Sequence, residues 1–274
     1  CRPAHMPVLI TAVEALLEPQ FNLASVQATT HPVAPLLIVH GPIAQRLGMN
    51  AGAGTFGPGS FANAVLGRAI RLMLWNIGGA LPGALDRSTQ GSPAKYNFCI
   101  AENIQASPWG SFITERGLPE GSDAVTVFGG EPPHNINDHE HGDAEGLLHV
   151  AADVMRALGS NNWFIAWHGQ KEMLLVLGPE HAASIASSGW SRQRVREFLH
   201  RSISRRHDEL QAGGMYGMRD WPPELSRMPA DALIPIVPGP DNILILVAGG
   251  EGKHSAALPS FGATVSVTRP IVET

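Results

Sequence analysis

Ala124-Val125-Thr126-Val127-Phe128-Gly129-Gly130-Glu131-Pro132-Pro133-His134-Asn135-Ile136-Asn137-Asp138-His139-Glu140-His141 reads as a buried strand running out into a polar loop. The apolar run 124–128 has the length and the Val/Phe content of a strand core. The eight positions that close the stretch, 134–141, hold three histidines, two asparagines and an aspartate. A solvated loop has no special need for imidazoles, whereas acid/base and metal chemistry do. In an open α/β sheet, ligands bind beyond the ends of strands, so this stretch marks a site as well as an element.

Working outward, apolar runs of strand length alternate with helical patterns. Residues 6–17 form an apolar helix with Pro7 in its first turn, where proline is tolerated. Strands are predicted at 24–29 and 35–40, and Ser60 caps a helix reaching about residue 77. That helix is apolar nearly all round, which predicts burial. Further strands are expected at 97–101, 163–167, 173–177, 232–237 and 243–247, with a helix at 145–158. An edge strand is expected at 264–271. The basic stretch 192–206 carries Val195, Phe198, Leu199 and Ile203 and reads as an amphipathic helix with a solvated face. Alternation of this kind predicts an α/β fold: one layered, mixed and largely parallel sheet with helices on both faces, in a single domain spanning residues 1–274.

Composition narrows the function. The chain of 274 residues is 44% hydrophobic but only 16% charged, with 30 Gly and 22 Pro, against a usual charged fraction of about a quarter. That suits a compact, loop-rich body with surface covered by a partner subunit, a second copy being the simplest. A net charge of −5 and the absence of a basic stripe argue against a nucleic-acid partner. No run approaches the roughly 18 apolar residues of a membrane span. Two cysteines make no disulfide framework, so a reducing, cytoplasmic setting is expected.

Several strand ends carry polar residues: Thr29-Thr30-His31, Glu102-Asn103, 134–141, Glu180-His181 and Lys253-His254-Ser255. On a mainly parallel sheet these would gather at one edge and build one pocket. His134, His139 and His181 are the candidate acid/base groups, oriented by Asp138, Glu102 and Glu180. Glu180 equally suits the positive end of a helix. His31, Asn103, Asn135, Asn137, Lys253 and His254 are candidate substrate-binding residues. The glycine-rich segment before the capped helix, with Gly57, Gly59 and Ser60, would offer backbone N–H groups to a negative group. A divalent metal is the cofactor considered. His134 and Asp138 would share a helix face, or His139 and His141 a strand face, as ligands. No H-E-x-x-H signature supports this, and the same histidines serve equally as hydrogen-bonding or proton-transfer groups. Gly249-Gly250-Glu251-Gly252-Lys253-His254-Ser255 lacks the glycine and the magnesium-binding hydroxyl of a P-loop, so nucleotide hydrolysis is not expected. Arg68 and Arg71 lie within the buried helix and call for partners, an internal acid or a substrate carboxylate. Cys99, in an apolar strand, is a core residue.

Taken together, Cys1-Arg2-Pro3 with Met6-Pro7-Val8, Gln27-Ala28-Thr29-Thr30-His31-Pro32, Cys99-Ile100-Ala101-Glu102-Asn103, His134-Asn135-Ile136-Asn137-Asp138-His139 and Gly178-Pro179-Glu180-His181 resemble the region following the U-G-S-C motif in the UGSC family of (seleno)proteins. The similarity covers most of the chain. It implies an enzyme, thiol- or selenol-linked, whose cysteine or selenocysteine lies upstream of Cys1, in an upstream domain of a longer polypeptide of which this is the C-terminal part. The function expected from all of this is an enzyme acting on a small polar or anionic molecule. It is a hydrolase or lyase using metal-assisted or His/Glu acid–base chemistry. The alternatives are an oxidoreductase using an upstream thiol or selenol, and a non-catalytic assembly subunit.

Overall fold

The computed structural model describes residues 1–57, 60–164, 169–213 and 220–272. In chain order the elements are α1 (Met6–Leu16), α2 (Leu23–Ala28), β1 (Ala34–His40), α3 (Pro42–Arg46), α4 (Phe61–Asn76), β2 (Cys99–Ala101), β3 (Ala124–Gly130), β4 (His134–Asn137) and α5 (Ala144–Met155). There follow β5 (Met173–Leu177), α6 (Pro179–Ser187), α7 (Arg192–Ser202), β6 (Ser204–Arg206), α8 (His207–Gly213), α9 (Pro223–Ser226), β7 (Leu233–Pro235), β8 (Ile243–Val247), β9 (His254–Pro259) and β10 (Val267–Pro270).

The strands build two four-stranded sheets, ordered β10-β3-β1-β2 and β4-β9-β5-β8, and a small β6-β7 ribbon. Side chains alternate across each strand, and that alternation sorts the interior into three cores. Leu36, Ile38, Ile100 and Phe128 of the first sheet meet Leu174, Val176, Leu244, Leu246 and Leu258 of the second in one cluster. The sheets therefore stack face to face. The alternate residues of the first sheet, Leu37, Val39, Cys99, Val125 and Val127, pack under α1 and α4 through Val8, Ala12, Leu66 and Ile70. Those of the second, Leu175, Leu177, Ile243, Ile245 and Val247, pack under α5, α6 and α7. The result is four layers: helices, sheet, sheet, helices.

The α/β class and the mixed pairing are observed, but the largely parallel single sheet is not. Only β1–β2 and β5–β8 pair in parallel among the described strands, and the other pairings are antiparallel. The cause of the misreading is physical. Continuous apolar runs mark strands covered on both faces, a condition usually met by parallel sheets. Here the second sheet supplies the second cover, so even the antiparallel β3 is buried throughout. Each sheet carries helices on one face only.

Three local expectations also change. Residues 24–29 fall in a helix, α2, entered from Asn22 in the left-handed region at φ 52°, and only Val26 and Gln27 of that helix are buried. The basic stretch is helical to Ser202, then turns into β6 to pair with β7. Of the strand expected at 163–167, Trp163 ends a 3-10 turn, and 165–167 lie outside the described residues. Elsewhere the helices at 6–16, 61–76 and 144–155 and the strands at 173–177 and 243–247 stand where the pattern put them. Among the described residues no helix is long and apolar enough to cross a membrane.

Candidate functional site

The carboxyl ends of β1, β2, β5 and β8 fall on one side of the molecule, and the cavity opens there. The Asn103 N–H donates to the Val247 carbonyl (2.8 Å), and the Gly249 N–H to the Ala51 carbonyl (2.8 Å). These bonds draw the loops after β2 and β8 and the glycine-rich loop before α4 together. Between them is a cavity of about 370 Å³, at the small end of ligand clefts, which run from roughly 300 to 1,000 Å³. Thr55, Phe56 and Gly57 form one wall. Asn135, His254 and Ala256 form the other, with Gly249, Gly250 and Glu251 at the rim.

Asparagines shape the glycine-rich wall. Asn50 accepts from the Gly52 N–H (2.9 Å) and donates to the Ala53 carbonyl (2.8 Å), while Asn63 of α4 bonds both the N–H (2.8 Å) and the carbonyl (3.0 Å) of Asn50. The rim then approaches this wall closely. A Cβ on Gly250 would stand 2.7 Å from that of Ala53, so no side chain fits there. Gly178, which caps α6, is likewise pressed against the start of β9: a Cβ would lie 2.2 Å from the His254 carbonyl. Among the sequence candidates neither Asn50 nor Asn63 appears, although an asparagine in a glycine-rich loop is a recognisable turn-former.

On the opposite wall, β4 and β9 pair with Asn135 opposite Ala256 and Asn137 opposite His254. His254 Nδ1 lies 3.0 Å from Asn135 Oδ1. A carbonyl-type oxygen only accepts, so the imidazole donates from Nδ1, and the neutral form of the ring then carries its lone pair on Nε2. The His139 ring stands edge-on to that of His254, with centroids 5.4 Å apart. Lys253 donates from Nζ to the His139 carbonyl (3.1 Å). It sits in the left-handed region at φ 52°, rare for a residue with a Cβ. Glu180 fixes that conformation by accepting from the N–H groups of Gly252 and Lys253, and these two bonds hold its carboxyl below the usual carboxylate range. Glu180 is thus a loop clamp, and Lys253 is spent on the His139 carbonyl.

The remaining candidates divide clearly. Asp138 is buried (4% exposed) and accepts from the N–H groups of Glu140 and His141 and from the His141 ring (2.9 Å). Burial opposes its charge, but these bonds prevail and lower its pKa. His181 is enclosed with both nitrogens committed: Nε2 donates to the Asp138 carbonyl (3.1 Å) and Nδ1 accepts from Ser255 Oγ (2.7 Å). Burial pushes its pKa down, which keeps the ring neutral. Ser255 alternates with His254 and Ala256 along β9, so its side chain and His181 lie on the helix side of the sheet. His181 ties α6 to β9 and does not reach the cavity. His134 is exposed and shares the face of buried Ile136, away from Asn135.

Glu102 also lies away from the cavity. It is buried, accepting from His40 Nδ1 (2.7 Å), Ser111 Oγ (2.8 Å) and the Phe112 N–H (2.7 Å). His40 Nε2 continues to Thr126 Oγ1 (2.9 Å), and Thr126 to Thr268 on β10 (2.8 Å). Despite burial, which acts to raise it, the Glu102 pKa is lowered by these donors. His31 lies before β1, at the opposite end of the sheet, paired with Glu131 (2.7 Å). This corrects the expectation that it joins the cluster: α2 stands where a strand was read, so no strand end delivers it. Gly57 lines the cavity, but its N–H is already donated to the Gly54 carbonyl (2.7 Å). Ser60 Oγ donates to the Gly48 carbonyl (2.9 Å), and Gly59 lies outside the described residues. Asn103 reaches toward the Gly249 carbonyl with Nδ2 (3.5 Å), and Asn137 is exposed on β4.

The metal geometries considered from sequence are not the ones formed. Residues 134–137 are a strand, so His134 and Asp138 share no helix face. Asp138 turns the chain after it, so His139 and His141 share no strand face. Among the described residues, no three His, Cys, Asp or Glu side chains are grouped to hold a metal ion. Burial pushes the Cys99 thiol up to about 12, as a core residue requires. Comparison with known proteins finds no matching family model, no matching curated protein and no matching solved structure.

Proposed function

We propose that the cavity between residues 53–57 and 248–256 is the active site of an enzyme domain acting on a small polar or anionic molecule by histidine acid–base chemistry, as a hydrolase or lyase. The observation that carries this reading is His254. His254 lines the cavity, and Asn135 holds its Nδ1 as a donor, so that the neutral ring carries its lone pair on Nε2, the form a general base needs. His139 stands edge-on to that ring, outside the cavity lining, and is the second imidazole beside it. Thr55 and Asn135 supply neutral hydrogen-bonding groups, and Phe56 and Val176 an apolar floor. Apolar walls with a few convergent polar groups are the ordinary make-up of a small-molecule site. Acid–base chemistry is favoured because the cavity is lined by one imidazole, an amide and the Glu251 carboxylate, and the described residues group no metal-ligand set there.

The test is turnover profiling. The protein is incubated with a defined set of small esters, amides, lactones and hydroxy acids, and depletion is followed by mass spectrometry. A substrate should emerge whose turnover falls about 10²- to 10⁴-fold in His254→Gln, the range a positioned general base contributes. Asn135→Leu, which frees the tautomer, should fall less. Equal turnover by wild type and His254→Gln removes the proposal.

A further inference from the structure

A second cavity, of about 740 Å³, opens on the other side of the glycine-rich loop, and Phe56 and Gly57 line both. Its walls are mainly apolar, with Phe56, Val65 and Leu72 prominent, and Arg68 is the one side chain of fixed charge among its described lining residues. The Arg68 guanidinium is held between two rings, 4.2 Å over Tyr96 and 5.0 Å over Trp75. Its Nη1 is enclosed and has no hydrogen-bond partner. Arg71, one turn further along α4, also has an enclosed donor without a partner, its Nε, but its guanidinium is paired with an acid and an amide: Asp86 stands at 2.7 Å and Gln27 at 3.1 Å. Among the described residues Arg68 has no such acid. An enclosed donor without an acceptor costs about 1–3 kcal/mol, and two aromatic faces fix its position without satisfying it.

We propose that this cavity binds an organic monocarboxylate with an apolar body. The carboxylate pairs with the Arg68 guanidinium, whose fork matches two oxygens, and the body lies along Val65, Leu72 and Phe56. One cation favours a single negative charge, and the apolar walls favour a hydrocarbon body over a sugar or phosphate. The inference does not rest on the His254 reading and stands or falls separately.

Cys1 supplies the reporter. It lines this cavity and is exposed, while Cys99 is buried. The probes are 4-phenylbutyrate and its neutral amide, with calorimetric affinity and the rate of Cys1 alkylation by iodoacetamide as readouts. The acid should bind saturably and slow alkylation at least about fivefold, and the amide should do neither. Arg68→Met should weaken the acid at least about tenfold, and Arg68→Lys should weaken it less, because the charge remains while the fork is lost. Thermal melts of both variants confirm folding, and Asn135→Ala should leave the affinity for the acid unchanged. Equal binding of acid and amide, no binding at millimolar acid, or unchanged affinity in a folded Arg68→Met overturns the proposal. So does a change in sedimentation of Arg68→Met without any acid binding, which would assign Arg68 to a contact between copies.

Discussion

Replacing Glu102 by leucine tests the claim that this carboxylate is a structural tie. The change removes the acceptor of three short bonds, from His40, Ser111 and the Phe112 N–H. The His40 ring is fully buried. Breaking a buried, hydrogen-bonded charge by removing one partner costs about 3–5 kcal/mol. At roughly 2.1 cal/mol/K per residue, the 274 residues give an unfolding entropy of about 0.58 kcal/mol/K. A loss of about 4 kcal/mol then lowers Tm by about 7 °C. Glu102→Gln should recover more than half of this, because its amide oxygen can still accept from Phe112 while the imidazole changes tautomer. The pH dependence has a definite sign. The folded pKa of Glu102 lies below its ordinary value of 4.5, so its contribution is complete above 4.5 and is lost as pH falls through the folded pKa. The Tm gap between wild type and Glu102→Leu should therefore be flat near neutrality and close in acid. Scanning calorimetry at a series of pH values checks both parts. A neutral-pH loss below about 2 °C, or a gap that widens in acid, refutes the reasoning.

Other consequences can be measured as readily. Asp86 holds Arg71 (2.7 Å) and Lys95 (3.1 Å) in a buried cluster, and its pKa is lowered to about 2, with the Ser88 bonds and the two cations overcoming burial. Asp86→Asn should cost about 3–5 kcal/mol in urea denaturation at neutral pH, and the difference should shrink only as pH falls from 3.8 toward 2. Gly178→Ala places a methyl 2.2 Å from the His254 carbonyl, so it should cost about 1–3 kcal/mol and impair turnover of any substrate found. His181→Ala should lower Tm, through loss of the Ser255 and Asp138 bonds, while leaving ligand affinity at the His254 cavity within about threefold; a selective loss of affinity would place His181 in the site. Native protein should take up one iodoacetamide and denatured protein two, because the Cys99 thiol is buried and raised to about 12.

Much of the fold was legible because its strands and helices are locally consistent. The runs at 173–177 and 243–247 are apolar on every residue, and α4 begins one residue after Ser60. The sheet arrangement was not legible. A strand covered by helix on one side and by a second sheet on the other has the same continuous apolar pattern as a strand in a doubly covered parallel sheet, so Ala124–Gly130 carries no sign of its direction. The short strands His134–Asn137 and His254–Pro259 carry no strand signal where they begin, because His134-Asn135 and His254-Ser255 are polar and suit a loop equally well. Their pairing joins Asn135 to His254, residues 119 positions apart. The clustering of histidines pointed to the right region, yet sequence could not tell an imidazole with a free nitrogen from one with both committed. His254 is exposed with one nitrogen bonded to Asn135, whereas His181 is buried with both nitrogens committed, to Ser255 and to the Asp138 carbonyl.

The state of the His254 ring decides whether this cavity can supply a base, and nitrogen NMR reads it directly. At about pH 8.5, where an ordinary imidazole is neutral, the resonances lost in His254→Gln should report a proton on Nδ1 and a bare Nε2, and the Nε2 signal should move when a turned-over substrate or its product is added. A proton on Nε2, or a bare Nε2 signal that no such ligand moves, would contradict the assignment of this cavity as the active site.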